Sequence, residues 1–193
     1  MKKALLPLLI IGLSAFAFAG SQSFTVNFEQ YAGYTQITNQ YSASDVTFTN
    51  ALQLVAPGYD FFDYPPHSGN GVITNDPNDP ITVTFSTPME VVSGWYADPN
   101  GVTVNAYNTH GTLIGTFNGS AILGSNAQFN LASTLSGGYI SYLTISDNSG
   151  QPDSETVDDL FFEVPEPGAL LLILPGLLGA FVGLRRKVGV AKV

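Results

Sequence analysis

A period of two runs through most of the chain between Gly20 and Val164. Phe24, Val26 and Phe28 alternate with polar neighbours, as do Ile81, Val83 and Phe85 around Thr82 and Thr84, and Val102, Val104 and Ala106 around Thr103 and Asn105. Side chains two apart share one face of a β-strand, so each run predicts a strand with one face to bury. Further strands are expected over Val46–Phe48, Leu52–Val55, Val91–Tyr96, Thr112–Phe117, Ala127–Leu131, Tyr139–Ser146 and Val157–Glu163. Turn chemistry punctuates them: Asn75-Asp76-Pro77-Asn78-Asp79-Pro80, Asp98-Pro99-Asn100-Gly101, His110-Gly111, Asn118-Gly119, Gly137-Gly138 and the run Asp147 to Asp153. These are residues that preset or tolerate turn dihedrals. About ten short strands in one chain of this size predict an all-β fold, an antiparallel β-sandwich of the jelly-roll kind, with an up-and-down barrel as the alternative.

The charge distribution sets the chemistry. All six basic residues lie at the ends, Lys2 and Lys3 in front and Arg185, Arg186, Lys187 and Lys192 behind. The stretch from Gly20 to Val164 holds fourteen carboxylates and no lysine or arginine, a net of -14. Nucleic-acid binding is excluded, because nothing could displace counterions from phosphates. The absence of cysteine excludes disulfides, thiolate zinc sites and a cysteine nucleophile.

The ends carry address signals. Residues 1–19 read as a signal peptide: Lys2-Lys3, an apolar run from Ala4 to Phe18, and Ala17-Phe18-Ala19 as the small-x-small site that signal peptidase cuts. Gly168 to Leu184 is uncharged and followed at once by Arg185-Arg186-Lys187. As a helix it would reach about 25 Å, enough to cross the hydrocarbon core, and the basic cluster fits a cytoplasmic stop. Residues 188–193 would form a short cytoplasmic tail, and the domain at 20–164 would lie outside.

Val164-Pro165-Glu166-Pro167, then an apolar helix, then a basic cluster, resembles the PEP-CTERM sorting signal of exosortase substrates, covering residues 165–187. The resemblance implies a Gram-negative envelope, recognition of Pro165, Glu166 and Pro167 by a membrane-embedded exosortase-like enzyme, and passage to the cell surface or extracellular matrix. The alternative is a single-pass anchor with a proline hinge. Within the domain, the strand ending in Phe28-Glu29, then Tyr41 and Val46-Thr47-Phe48, and the closing Val157-Asp158-Asp159-Leu160 are similar to the jelly-roll ectodomains of PEP-CTERM proteins, which in turn resemble carbohydrate-binding modules.

Two constellations could carry function. Asp158-Asp159 sits inside the last predicted strand, where alternation sends one carboxylate to the Val157/Phe161 side and the other to the Leu160/Phe162 side. A buried carboxylate with no basic residue in its domain must be protonated, accept several hydrogen bonds or coordinate a metal. Calcium suits oxygen ligands, so a structural calcium site is expected from Glu29 with Asp158 or Asp159; exposure at a sheet edge is the competing reading.

The second constellation is Ala56 to Gly71, which places Tyr59, Phe61, Phe62, Tyr64 and His67 among prolines and carboxylates. Exposed rings there would stack on sugars, with Asp60 and Asp63 accepting from hydroxyls; Tyr59 and Tyr64 are the expected exposed pair. The competing reading has these rings plug the open end of the sandwich. Trp95 is expected in the core, and Asn118-Gly119-Ser120 as a hairpin turn. The Asp147 to Asp153 loop lacks the ligand spacing of an EF-hand. His67 and His110 are the only histidines, no Gly-x-Ser-x-Gly elbow is present, and a triad through the adjacent His67 and Ser68 runs against strand geometry. The expectation is a non-enzymatic, surface-sorted protein that binds or organises exopolysaccharide. A structural matrix protein that holds divalent cations is the alternative, and a secreted hydrolase a distant one.

Overall fold

The computed structural model describes residues 22–75, 80–134, 137–149 and 155–165. The expected signal peptide, residues 1–19, lies outside them, as do Glu166, Pro167 and the expected span, basic cluster and tail. Twelve strands form among the described residues: β1 Ser23–Val26, β2 Gln36–Ile37, β3 Val46–Thr49, β4 Ala51–Val55, β5 Gly71–Asn75, β6 Ile81–Met89, β7 Val91–Asp98, β8 Val102–Tyr107, β9 Leu113–Asn118, β10 Ile122–Ala132, β11 Ile140–Asp147 and β12 Thr156–Glu163. A seven-stranded sheet runs β10-β7-β12-β5-β4-β2 with β1 added beside β12, and a five-stranded sheet runs β3-β6-β11-β8-β9. All pairings are antiparallel.

The alternation read from sequence decides the faces. In β8, Val102, Val104 and Ala106 are buried while Thr103, Asn105 and Tyr107 look outward. In β12, Val157, Leu160 and Phe162 point inward and meet Phe129 of β10 and Val83, Leu143 and Ile145 from the opposite sheet in a single core. Each fully buried chain of this size contributes about 1.5–3 kcal/mol relative to exposure.

Two strands escape the sequence pattern. β2 is only two residues long. β5 is buried at every position, because it lies inside the larger sheet and is covered on its outer side, so it shows no alternation. Asn118-Gly119-Ser120 is also corrected: it joins β9 of one sheet to β10 of the other and is therefore a corner, not a hairpin. Gly119 is buried against the Tyr96 ring, and a Cβ there would lie 2.4 Å from the tyrosine oxygen.

The first and last strands lie side by side, with Val26 opposite Leu160 and Ser23 opposite Glu163. Val164 N–H then donates to the Gln22 carbonyl at 2.8 Å, which carries this pairing one residue further.

Candidate functional site

Between β4 and β5 the chain leaves the sheet at Ala56 and returns at Gly71, and this segment forms a strap over the outer face of the seven-stranded sheet. Its base is closed by Ala56 N–H donating to Asn70 O at 2.8 Å. Its far end reaches β10, where Gly124 N–H donates to Asp63 O at 2.8 Å. Beneath it lies Trp95 of β7, opposite Gln128 on one side and Asp158 on the other. Trp95 is thus on the outer face and half-buried under the strap. The expectation that it belongs to the core is overturned: Val92, Gly94 and Tyr96 face inward, and Trp95 takes the opposite parity.

The strap is fastened by the aspartate pair. β12 carries a β-bulge, because Asp158 faces Trp95 whereas Phe161 faces Ser93, three residues against two. The extra residue sits at Asp159, whose φ is 45°. Simple alternation, which would send the two carboxylates to opposite faces, therefore fails here: a bulge lets neighbouring side chains point the same way. Both carboxylates reach the same two strap residues. Asp158 Oδ2 accepts from the backbone N–H of His67 at 2.8 Å and of Ser68 at 2.9 Å. Asp159 Oδ2 lies 2.6 Å from His67 Nδ1, and its Oδ1 accepts from Ser68 Oγ at 2.9 Å. At this same bulge β12 exchanges its neighbour, from β5 at Val157 to β1 from Leu160 onward.

Glu29 fastens the next stretch. Its carboxylate accepts from Asn70 N–H at 3.1 Å and Gly71 N–H at 3.0 Å. Gly69, at φ 54°, lies so close that a Cβ would stand 2.3 Å from the Glu29 carboxyl carbon. Glu29, Asp158 and Asp159 thus serve one segment, residues 67–71, through its own amides and side chains. Among the described residues, no group of three or more histidine and carboxylate side chains converges as a metal-holding set.

Burial dominates the electrostatics. Asp158 is buried, and loss of hydration raises its pKa to about 6; the amides of Ser68, Asp159 and His67 oppose the rise while the charge of Asp159 adds to it. Tyr59 points inward, its hydroxyl buried without a hydrogen-bond partner among the described residues. Burial, then the charges of Asp158 and Glu29, push its pKa up to about 12. Burial and then the charge of Asp98, with weaker contributions from Asp63, Asp60 and Asp147, raise that of Tyr64.

The expected exposed pair, Tyr59 and Tyr64, is therefore half-buried. The phenylalanine and tyrosine rings beside the strap that face solvent are Phe62, 76% exposed and stacked on Phe61 at 4.3 Å, and Tyr34, 70% exposed, whose hydroxyl donates to Gly58 O at 3.0 Å. Asp60 and Asp63 flank the phenylalanines and are exposed, with Asp60 Oδ1 accepting from Asp63 N–H at 3.4 Å. His67 instead lies flat on Trp95 with its Nδ1 on Asp159. The sign of Phe62 in the sequence is the Phe61-Phe62 doublet: two adjacent rings stacked on one another leave the outer one to solvent. Nothing in the sequence marks Tyr34 beyond its place after Gly33.

Ser68 directs its hydroxyl at Asp159, and that same carboxylate holds His67. A serine nucleophile needs its hydroxyl on the histidine that deprotonates it, so the three residues form a clasp with its polar groups turned on one another.

No family model matches the sequence, and no curated protein matches it. Among solved structures, the chain is similar to the K2 cleaved adhesin domain of Lys-gingipain, with 13% identity, coverage of 73% of this chain and 99% of that one, and a TM-score of 0.50. It is also similar to the K1 cleaved adhesin domain of Lys-gingipain from Porphyromonas gingivalis W83, at 11% identity, 75% and 99% coverage and a TM-score of 0.46. A family 29 carbohydrate-binding module aligns at 9% identity, 74% and 92% coverage and a TM-score of 0.42. At these identities the first likeness establishes the shared β-sandwich fold.

Proposed function

We propose that this is an exported, non-enzymatic surface protein whose sandwich binds or organises exopolysaccharide through the strap. The observation that carries the reading is Phe62: a large apolar ring held three-quarters exposed on a stacked partner, between the exposed carboxylates of Asp60 and Asp63. A sugar offers an apolar face to such a ring and hydroxyl donors to carboxylates. Tyr34 adds a second exposed ring, tied to the strap at Gly58. The fold shared with an adhesin domain is in keeping with a binding module.

Export rests on residues 1–19, and surface sorting on Pro165, Glu166 and Pro167 with the apolar and basic run behind them, handled by signal peptidase and an exosortase-like enzyme. Binding is tested by sedimenting the full-length protein with the extracellular polysaccharide of its own source, beside Phe62→Ala and Tyr34→Ala variants. Saturable binding that the variants lose is expected. Retention of full binding by both variants removes the strap from the reading.

The second reading, a structural matrix protein holding divalent cations, draws on the fourteen carboxylates with no basic residue among them. A calcium ion shared by Glu29 and the aspartate pair belongs to that reading. At a hundredfold excess over its dissociation constant it would add about 2.7 kcal/mol. A melting temperature identical in calcium and in chelator would exclude it.

A further inference from the structure

The outer face of the five-stranded sheet, on the far side of the core from the strap, is uncharged along its ranks. Across four strand pairings one rank reads Thr49, Thr82, Thr144, Asn105, Thr116. The next rank runs from Thr47 through Thr84 to Tyr142 and Tyr107, and these two tyrosines stack at 4.6 Å with planes 8° apart. Asp45 touches only the margin, accepting from Ser86 Oγ at 2.5 Å.

At the end of this face lies an open cleft of about 460 Å³, lined by Pro88, Asn108, Thr109, His110, Gly138 and Tyr139 among others. That volume is in the range of small-molecule clefts. One wall exists because β6 bulges: Thr84 pairs with Tyr142 and Met89 with Ile140, five residues against two, and Pro88 lies in the excess. The other walls are tied together by Asn108. Its Nδ2 donates to Gly137 O at 3.1 Å, and its Oδ1 accepts from the N–H groups of His110 at 2.9 Å and Thr112 at 3.1 Å. Gly137 and Gly138 N–H both donate to Thr134 O at 3.1 Å. The cleft is therefore preset, which spares a ligand the cost of ordering it. Tyr139 stands at its rim, 51% exposed.

From this geometry we propose a second binding site, for a neutral saccharide, with Tyr139 as the stacking ring and the tyrosine pair and threonine ranks as the surface along which the chain continues. The class follows by elimination. A domain of net charge -14 repels anions, and the cleft holds no carboxylate to draw a cation. A purely apolar ligand would strip water from the Thr109 hydroxyl and the His110 ring of the lining and put nothing in its place. A neutral, hydroxyl-rich molecule with one apolar face satisfies both. This site stands on observations separate from the strap. Two sites on opposite faces would let one molecule bridge two polysaccharide chains.

The test measures binding of the full-length protein to a panel of neutral polysaccharides, a glucan, a mannan, a galactan and a xylan, with an acidic polyuronate as contrast. Tyr139→Ala should weaken binding to at least one neutral member about three- to tenfold, the range of one aromatic contact, and Tyr139→Phe should not. Thr109→Trp, which fills the cleft from an exposed turn position, should act like the alanine variant. Phe62→Ala should leave the effect of Tyr139→Ala intact, so failure at the strap and failure at the cleft are read separately. Unchanged binding in both Tyr139→Ala and Thr109→Trp, no binding to any neutral member, or a preference for the polyuronate overturns the proposal.

Discussion

The His67 imidazole lies flat on the Trp95 indole, ring centroids 3.8 Å apart and planes 8° apart, while its Nδ1 contacts Asp159 at 2.6 Å. One side chain thus clamps the strap to the sheet in two ways, by a ring stack and by a hydrogen bond. His67→Ala removes both and should lower stability by about 1–2 kcal/mol, somewhat less than the sum of such contacts because the imidazole is partly exposed. Trp95 is the only tryptophan, so its emission reports the strap directly. The variant should show a red-shifted spectrum, while His67→Phe, which keeps the stack, should shift less.

Asp158 makes stability depend on acidity with a defined sign. Its folded pKa of about 6 lies above the unfolded value of 3.8, so the native state holds the proton more tightly. The stability that Asp158 contributes is fully present below pH 4, falls as pH rises through the window from about 4 to 6, and is level above it. Asp158→Asn keeps an acceptor for the His67 and Ser68 amides without the buried charge. It should be more stable than the native protein at pH 7 by about 1–3 kcal/mol and should lose that advantage at pH 4. Urea titrations at the two pH values check this.

Much of this architecture is visible in the sequence, because half-buried strands write their faces into alternation, as Val102 to Tyr107 does. What escaped has particular causes. β5 is covered on both faces and has no period to read. The bulge at Asp159 depends on where β12 exchanges β5 for β1, a long-range pairing that leaves no local mark. In the sequence, alternation marks one carboxylate of Asp158-Asp159 as buried and in need of hydrogen-bond donors or a metal, in a domain without lysine or arginine. That their partners would be His67 and Ser68, some ninety residues earlier, is information carried by the fold alone. Trp95 departs from the sequence expectation for a related reason: an apolar residue in an apolar strand looks like core until the strap that covers it is known.

Gly71 marks the strap's point of return. A Cβ there would lie 2.1 Å from the Phe28 carbonyl oxygen and 2.9 Å from its carbon, both backbone atoms that cannot rotate aside. Its N–H is also one of the two that hold Glu29. Gly71→Ala must therefore push β5 away from the Phe28-Glu29 corner, a core disruption expected to cost about 3 kcal/mol. Thermal unfolding of this variant should show a clear drop in melting temperature. Gly111→Ala, in an open turn where a Cβ would stand 3.7 Å from the Tyr142 oxygen, should cost only the strain of its φ of 72°.

Tyr59 separates the strap as built from the strap as read from sequence. If its ring were a sugar platform, replacing it would abolish binding; in the structure its hydroxyl is buried without a hydrogen-bond partner among the described residues, close to the charges of Asp158 and Glu29. A buried hydroxyl that makes no hydrogen bond forfeits its hydration and gains nothing in return. Tyr59→Phe deletes that oxygen while leaving the ring packed, so the variant should be as stable as the native protein or more stable by about 1 kcal/mol. Its affinity for polysaccharide should be unchanged, whereas Phe62→Ala, which removes an exposed ring, should reduce affinity and leave the melting temperature within a degree or two. Measuring both quantities on both variants assigns each ring its role, and a loss of binding in Tyr59→Phe would return the tyrosine hydroxyl to the ligand-facing surface.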